Sequence, residues 1–295
     1  MNSWFRSFLG FALLPWLLAA CGGENATPAR PELRFTAIPD QNTTELAEKF
    51  QPLADYLGER LGVAVSYVPA RDYQATVEMF RNGDVQLAWF GGLTGVQARD
   101  AVAGARAIAQ GAADPDYYSY FIAHVSSGLE PSDDFPENIA ALRFTFGSES
   151  STSGRLMPEY FIRAHTGKSP AELFEHPVGF SGSHDKTAEL VESGQYQLGA
   201  INYKVYDQRV AEGLTDPTVA RVVWRTPTYA DYNWTAHPAL EKRFGAGFTE
   251  RLQDALTAIS DPLLLAALPR DRLIPADNAA YQGIRSVAEL LEMIR

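Results

Sequence analysis

Leu142-Arg143-Phe144-Thr145-Phe146-Gly147-Ser148-Glu149-Ser150-Ser151-Thr152-Ser153-Gly154 reads as a strand, a turn and the head of a helix. The apolar run at 142–146 predicts a strand that ends at Gly147. Beyond Gly154, Leu156, Tyr160 and Ala164 recur at helical spacing. Pro158 has no N–H and fits the first turn of a helix, so the helix is expected to begin within a few residues of Ser153. Five hydroxyls fall within the six residues 148–153, on the rim of that helix. Combined with unpaired backbone N–H groups and the positive end of a helix dipole, they form an uncharged site for a small anion. The plainer reading is an N-cap, but a cap needs one hydroxyl and this stretch supplies five.

The flanking sequence repeats the pattern. Strands are expected at 33–38, 63–68, 85–90 and 105–109, alternating with helices at 44–61, 72–81 and 93–103. Such alternation implies a mostly parallel sheet. The aromatic run at 117–125 reads as a long strand crossing to a second lobe, with a loop and short helix at 127–138 after it. Further strands at 178–180, 198–202 and 221–224 follow, with a helix from Ser183 or His184 to Val191. Residues 226–234 lead back, and amphipathic helices are expected at 244–260 and 287–294. The fold class is therefore α/β with two lobes, the first discontinuous (31–121 and 227–295) and the second inserted (122–226). Two crossing segments join them. Strand ends in such sheets carry the ligand, and here they face a shared cleft on which a hinge acts.

The chain has 295 residues, 46% hydrophobic and 21% charged, with a formal net charge of −11. That charge argues against nucleic acid or an anionic membrane surface as a partner. It does not argue against a buried anion, because remote surface charge is screened over about 8 Å at physiological salt. Residues 1–20 read as a signal peptide, with Arg6 as the only charge and an apolar run from Phe8 to Ala20. That run ends Leu18-Ala19-Ala20-Cys21, and Cys21 is the only cysteine. The ending resembles the lipobox of bacterial lipoproteins, which implies a lipidated Cys21. Residues 21–30 read as a flexible tether, placing an exported, membrane-anchored protein at the periplasm or cell surface.

Cleft candidates fall just after strands or at helix starts: Tyr73, Tyr117, Ser151, Thr152, Ser153 and His184. A tyrosine at a strand end is commonly a packing residue with a wet hydroxyl. Gly182 and Ser183 place His184 at a helix N-terminus, where protonation is disfavoured without an anion. His124, His165, His176 and His237 show no metal-ligand spacing, so neither metal nor cofactor is expected.

These residues resemble a known family. Ala37-Ile38-Pro39-Asp40, Asp72-Tyr73, Ala88-Trp89-Phe90-Gly91, Ser151-Thr152-Ser153-Gly154 and Gly182-Ser183-His184 are similar, in order over roughly 33–260, to the phosphate/phosphite/phosphonate-binding proteins of ABC importers. The resemblance implies a type II-like periplasmic binding protein, monomeric, delivering a small tetrahedral oxyanion to an inner-membrane ABC permease. Tyr73, Tyr117, Ser151, Thr152, Ser153 and His184 would hold the anion. Two family acids correspond here to Lys204, soon after Asn202, and to Asp231; both are candidates for ligand contact. A lysine where a ligand ammonium should dock disfavours an aminoalkylphosphonate, unless Lys204 points into solvent. Phe180-Ser181-Gly182-Ser183-His184-Asp185, Leu156-Met157-Pro158 and Asp231-Tyr232-Asn233-Trp234-Thr235 resemble a subgroup associated with selenate uptake, which gives a leaning towards selenate.

Two alternatives use the same residues. A secreted hydrolase would take Ser151 as nucleophile and His184 as base, although neither a Gly-x-Ser-x-Gly elbow nor a phosphate-cradling Gly-Lys-Ser/Thr motif occurs. A ligand-sensing subunit of a membrane signalling receptor would use the same cleft. The discriminator among oxyanions is protonation: donors alone suit selenate or sulfate, whereas a carboxylate acceptor selects a protonated phosphorus oxyanion.

Overall fold

The computed structural model describes residues 31–294, so Cys21 and the signal and tether segments lie outside the described residues. The first run is β1 (Glu32–Ala37), α1 (Thr43–Leu61), β2 (Ala64–Tyr67), α2 (Tyr73–Arg81), β3 (Leu87–Phe90), α3 (Gly92–Ala101) and β4 (Arg106–Gly111). The middle run is β5 (Ser119–His124), β6 (Phe144–Phe146), α4 (Met157–Thr166), α5 (Pro170–Leu173), β7 (Gly179–Phe180), α6 (His184–Glu192), β8 (Leu198–Asn202), α7 (Tyr203–Ala211) and β9 (Ala220–Arg225). The last run is β10 (Asn233–Ala236), α8 (Ala239–Phe244), α9 (Phe248–Thr257), β11 (Leu273–Pro275) and α10 (Gln282–Leu290).

α1 shows how locally these elements are specified. Asn42 caps it by accepting from the N–H groups of Thr44 and Glu45, and Gly62 ends it at φ +70°. Its stripe Leu46, Phe50, Leu53 and Leu57 is buried, and the Phe50 ring meets Phe35 of β1 and Trp234 of β10 edge-on.

The strands form two sheets, ordered β11-β4-β10-β3-β1-β2 and β7-β6-β8-β5-β9. The expectation of a mostly parallel arrangement needs correction. β1 runs parallel to β2 and β3, but β10 enters antiparallel between β3 and β4. The chain returns from the second sheet at the carboxyl ends of these strands, so its next strand must run the other way. In the second sheet β6 is parallel to β7 and β8, while β5 is antiparallel to β8 and β9. β5 starts at Ser119 and pairs only within the second sheet, so the division expected at 121/122 falls inside a strand. The sheets are joined by residues 112–118 and 226–232, which lie side by side at the Tyr117–Tyr229 bridge.

Other differences have local causes. The helix expected from Phe244 to Ser260 is α9 alone, starting at Phe248, because α8 ends at Phe244 and Gly245 and Gly247 adopt φ +94° and +76° between them. Within 127–138 the only helical residue is Ser127, the end of a 3-10 turn at Val125–Ser127, and the rest, which contains Pro131 and Pro136, forms no helix. The last helix begins at Gln282, earlier than expected, because Ile284 and Ala288 carry its buried stripe.

Candidate functional site

Five helical segments begin around one spot between the sheets: α2 at Tyr73, α3 at Gly92, a π-turn at Thr152–Leu156 leading into α4, α6 at His184 and α7 at Tyr203. Each helix start carries N–H groups without intrahelical acceptors and a partial positive charge. A chain of net charge −11 thus builds a local field suited to an anion, with little formal charge.

The hydroxyl stretch folds onto itself. Gly147 N–H donates to the Gly154 carbonyl at 2.8 Å, and Ser151 Oγ accepts from Gly154 N–H at 2.9 Å. Ser151 is therefore an N-cap, as the plainer reading held, and its own O–H is still a donor. Ser148 and Ser150 line an open cleft of about 740 Å³ together with residues from the first sheet's loops, among them Gln41, Asn42 and Tyr73. Ser151, Thr152 and Ser153 are buried, at 1–2% exposure. Ser153 turns its carbonyl to the Ser119 hydroxyl at 2.6 Å. Pro158 sits in the first turn of α4, as expected.

Thr152 bridges the sheets, its Oγ1 accepting from Leu93 N–H at 3.0 Å. Beside it Asp231 Oδ1 accepts from Gly92 N–H at 2.8 Å, so the carboxylate occupies the positive end of α3. A Cβ at Gly91 would lie 3.1 Å from Thr152 Oγ1 and 3.3 Å from Asp231 Oδ1, so bare backbone permits this approach. Asp231 Oδ2 is buried without a hydrogen-bond partner. Burial pushes the Asp231 carboxyl up to about 7, opposed by the Gly92 N–H and Thr152.

His184 is fully buried. Gly182, at φ +91°, turns the preceding loop so that Gly182 N–H meets the Gly147 carbonyl at 3.3 Å. His184 N–H donates to the Asp40 carbonyl of the first sheet at 3.0 Å, and its Nδ1 accepts from Asn202 N–H at 3.3 Å. Burial lowers its pKa to about 3, so the ring is neutral. With Nδ1 accepting, the proton is on Nε2, which is buried and unpartnered. The Tyr73 hydroxyl, also buried and without a hydrogen-bond partner, stands near Ser151.

Tyr117 is held differently. Its hydroxyl donates to Asn202 Oδ1, so it contributes a ring wall more than a free donor. Asn202 was read only as a strand end, yet it connects the network: Nδ2 donates to the Tyr232 hydroxyl at 2.8 Å, which donates to Asp40 Oδ2 at 2.9 Å. Sequence reading missed Asp40, Asn202 and Tyr232 as site partners. Asp40 and Tyr232 stood inside motifs that carry the family resemblance and Asn202 at a strand end, but no role followed from either. Lys204 stands apart from this group. Its ammonium lies 5.5 Å from the Tyr203 ring centre, and it lines a separate groove with Asp207, Arg270 and Asp271.

Comparison with known proteins adds the rest. A family model described as the periplasmic substrate-binding protein of phosphonate ABC transporters matches residues 35–281. The chain is 38% identical over 270 residues to a probable phosphite-binding protein of an ABC transporter from Prochlorococcus marinus, covering 89% of this chain and 91% of that protein. It is 30% identical to the phosphate-import protein PhnD of Mycolicibacterium smegmatis, covering 95% and 94%. The crystal structure of the Prochlorococcus PhnD1 with methylphosphonate superposes at a TM-score of 0.83, with 36% identity over 90% of this chain and 99% of that one. The matched proteins are transporter components and not enzymes, which removes the hydrolase reading. Two α/β sheets meeting at an anion-ready cleft, together with a match over most of its length, place the chain in the family of periplasmic substrate-binding proteins of phosphonate ABC transporters.

Proposed function

We propose that this protein captures a small tetrahedral phosphorus oxyanion that still carries an acidic proton, of the phosphite or methylphosphonate class, and presents it to an ABC permease. The carrying observation is Asp231: one carboxyl oxygen holds Gly92 N–H beside Thr152 while the other is buried without a partner, and the Tyr73 hydroxyl and His184 Nε2 are buried donors likewise unpartnered. In its ionised form that carboxyl repels fully ionised sulfate or selenate and accepts a hydrogen bond from a P–OH group. On this point the reading departs from the selenate leaning, and the ligands named for the similar proteins, phosphite and methylphosphonate, support it. Donors to a charged acceptor contribute roughly 1.5–3 kcal/mol each, so several together reach micromolar affinity or better after association costs.

Residues 31–111 with 233–294 form one lobe in this reading and 119–225 the other, with the two connecting segments as hinge. Cys21 would carry the lipid that tethers the body to the membrane. Lys204 is assigned no ligand contact. Calorimetry of the purified protein against phosphite, methylphosphonate, phosphate, sulfate and selenate tests the reading. Phosphite or methylphosphonate is expected tightest, and Asp231→Asn should lose at least tenfold for these while sulfate or selenate gains. Tightest binding of selenate by the wild type would overturn it.

A further inference from the structure

Arg270 lies outside the anion-holding set, yet it is 7% exposed and packs against Asp114 and three aromatic rings. Its Nε donates to Asp114 Oδ1 at 2.7 Å, and both side chains are buried. Asp114 also accepts from Gly111 N–H at 2.6 Å, and its backbone carbonyl accepts from Asp231 N–H at 3.0 Å. The guanidinium lies 4.7 Å from the Tyr232 ring centre, 5.2 Å from Tyr117 and 5.7 Å from Trp89. One cation thus grips the first connecting segment directly, the second through Asp114, and the aromatic wall through its faces.

We propose that Arg270 is a positioning residue for the anion site: by clamping Asp114 and the Tyr117–Tyr232 wall it fixes where the Asp231 carboxyl stands and how much charge that carboxyl carries. The inference rests on the reading of Asp231 as the acceptor in the site. Arg270 and Asp114 are the buried charges that act on Asp231, with opposite signs. Asp40, joined to the Tyr232 hydroxyl, lies under the same Arg270 field, and Lys204 acts on Asp114 from the rear groove. The hydroxyls of Tyr73, Tyr117, Tyr229, Tyr232 and Tyr281 feel the Asp231 charge and are themselves uncharged, their ionisation pushed well above the ordinary range by burial. His184 is neutral.

Opposite signs make the idea testable. The Asp231 titration midpoint is read by carboxyl carbon NMR of the ligand-free protein, assigned by the signal lost in Asp231→Asn, and phosphite affinity is read by calorimetry. Arg270→Met should raise the midpoint by about one pH unit and weaken phosphite at least tenfold. Asp114→Asn should lower the midpoint. Arg270→Lys, which keeps charge but loses the planar clamp, should leave the midpoint in place while weakening phosphite. A midpoint unmoved by both charge-removing variants overturns the proposal, and so does failure of both to fold, which would make the pair a structural element. If Asp231→Asn binds phosphite normally, the reading of the site itself fails. If that variant loses phosphite but Arg270→Met does not shift the midpoint, only the Arg270 assignment falls.

Discussion

A Cβ added at Gly154 would stand 3.0 Å from His184 Cε1, 3.0 Å from Ser151 Oγ and 3.2 Å from the Gly147 backbone. Backbone cannot yield as a side-chain tip does, so His184 would be displaced. Gly154→Ala is expected to cost about 1–3 kcal/mol of stability and to weaken anion binding at least tenfold, measured by thermal melting and calorimetry. Two buried titratable groups of the site, His184 and Asp231, give opposing pH signatures. His184 has its pKa lowered from 6.5 to about 3, so its contribution is present above 6.5 and lost as pH falls towards 3. Asp231 is raised from 3.8 to about 7, so its contribution is present below 3.8 and lost as pH rises through 7. In a buffer free of tetrahedral anions, Asp231→Asn should therefore raise the melting temperature at alkaline pH and leave it little changed in acid. His184→Gln should flatten the acid limb instead. A variant with the wild-type pH profile would refute the assigned burial.

Among the elements, α7 shows how a cap becomes part of a site. Asn202 Oδ1 accepts from Lys204 N–H at 2.8 Å and Val205 N–H at 3.2 Å, which is ordinary capping. The same oxygen takes the Tyr117 hydroxyl, and the amide nitrogen serves Tyr232. Asn202→Ala should cost more than the roughly 1 kcal/mol of a lost cap, because two buried tyrosine hydroxyls lose partners. Asn202→Asp, which keeps the cap oxygen but not the amide donor, should retain more stability and still lose phosphite affinity. Denaturant melts and titrations of the pair separate the two roles. The π-turn at Thr152–Leu156 belongs to the same scale, since the wider turn ahead of α4 accompanies the buried hydroxyl run.

For the whole molecule, the contacts between the sheets at the cleft floor are few and specific. Leu93 N–H to Thr152 Oγ1 and His184 N–H to the Asp40 carbonyl both join segments from different sheets. A hinge that opens must break them, and an anion between the donors favours the state that keeps them. Saturating phosphite is expected to slow amide hydrogen exchange at Leu93 and His184 by at least tenfold, with little change in α9, which packs on α1, β4 and β11. Equal protection everywhere would indicate global stabilisation and no hinge.

The strand–turn–helix stretch at 142–164, the alternating first half, the capped helix α1 and the family membership were legible in the chain itself. They depend on local periodicity, proline and glycine stereochemistry, and short motifs. Long-range assembly decided the rest. Insertion of β10 between β3 and β4, the role of Asn202 between Tyr117 and Tyr232, and the Arg270–Asp114 pair join residues up to 156 positions apart. Whether Asp231 is an acceptor or a surface acid, and whether Lys204 faces the cleft or the groove behind it, depends on burial and on which neighbours complete each hydrogen bond. No spacing along the chain encodes either.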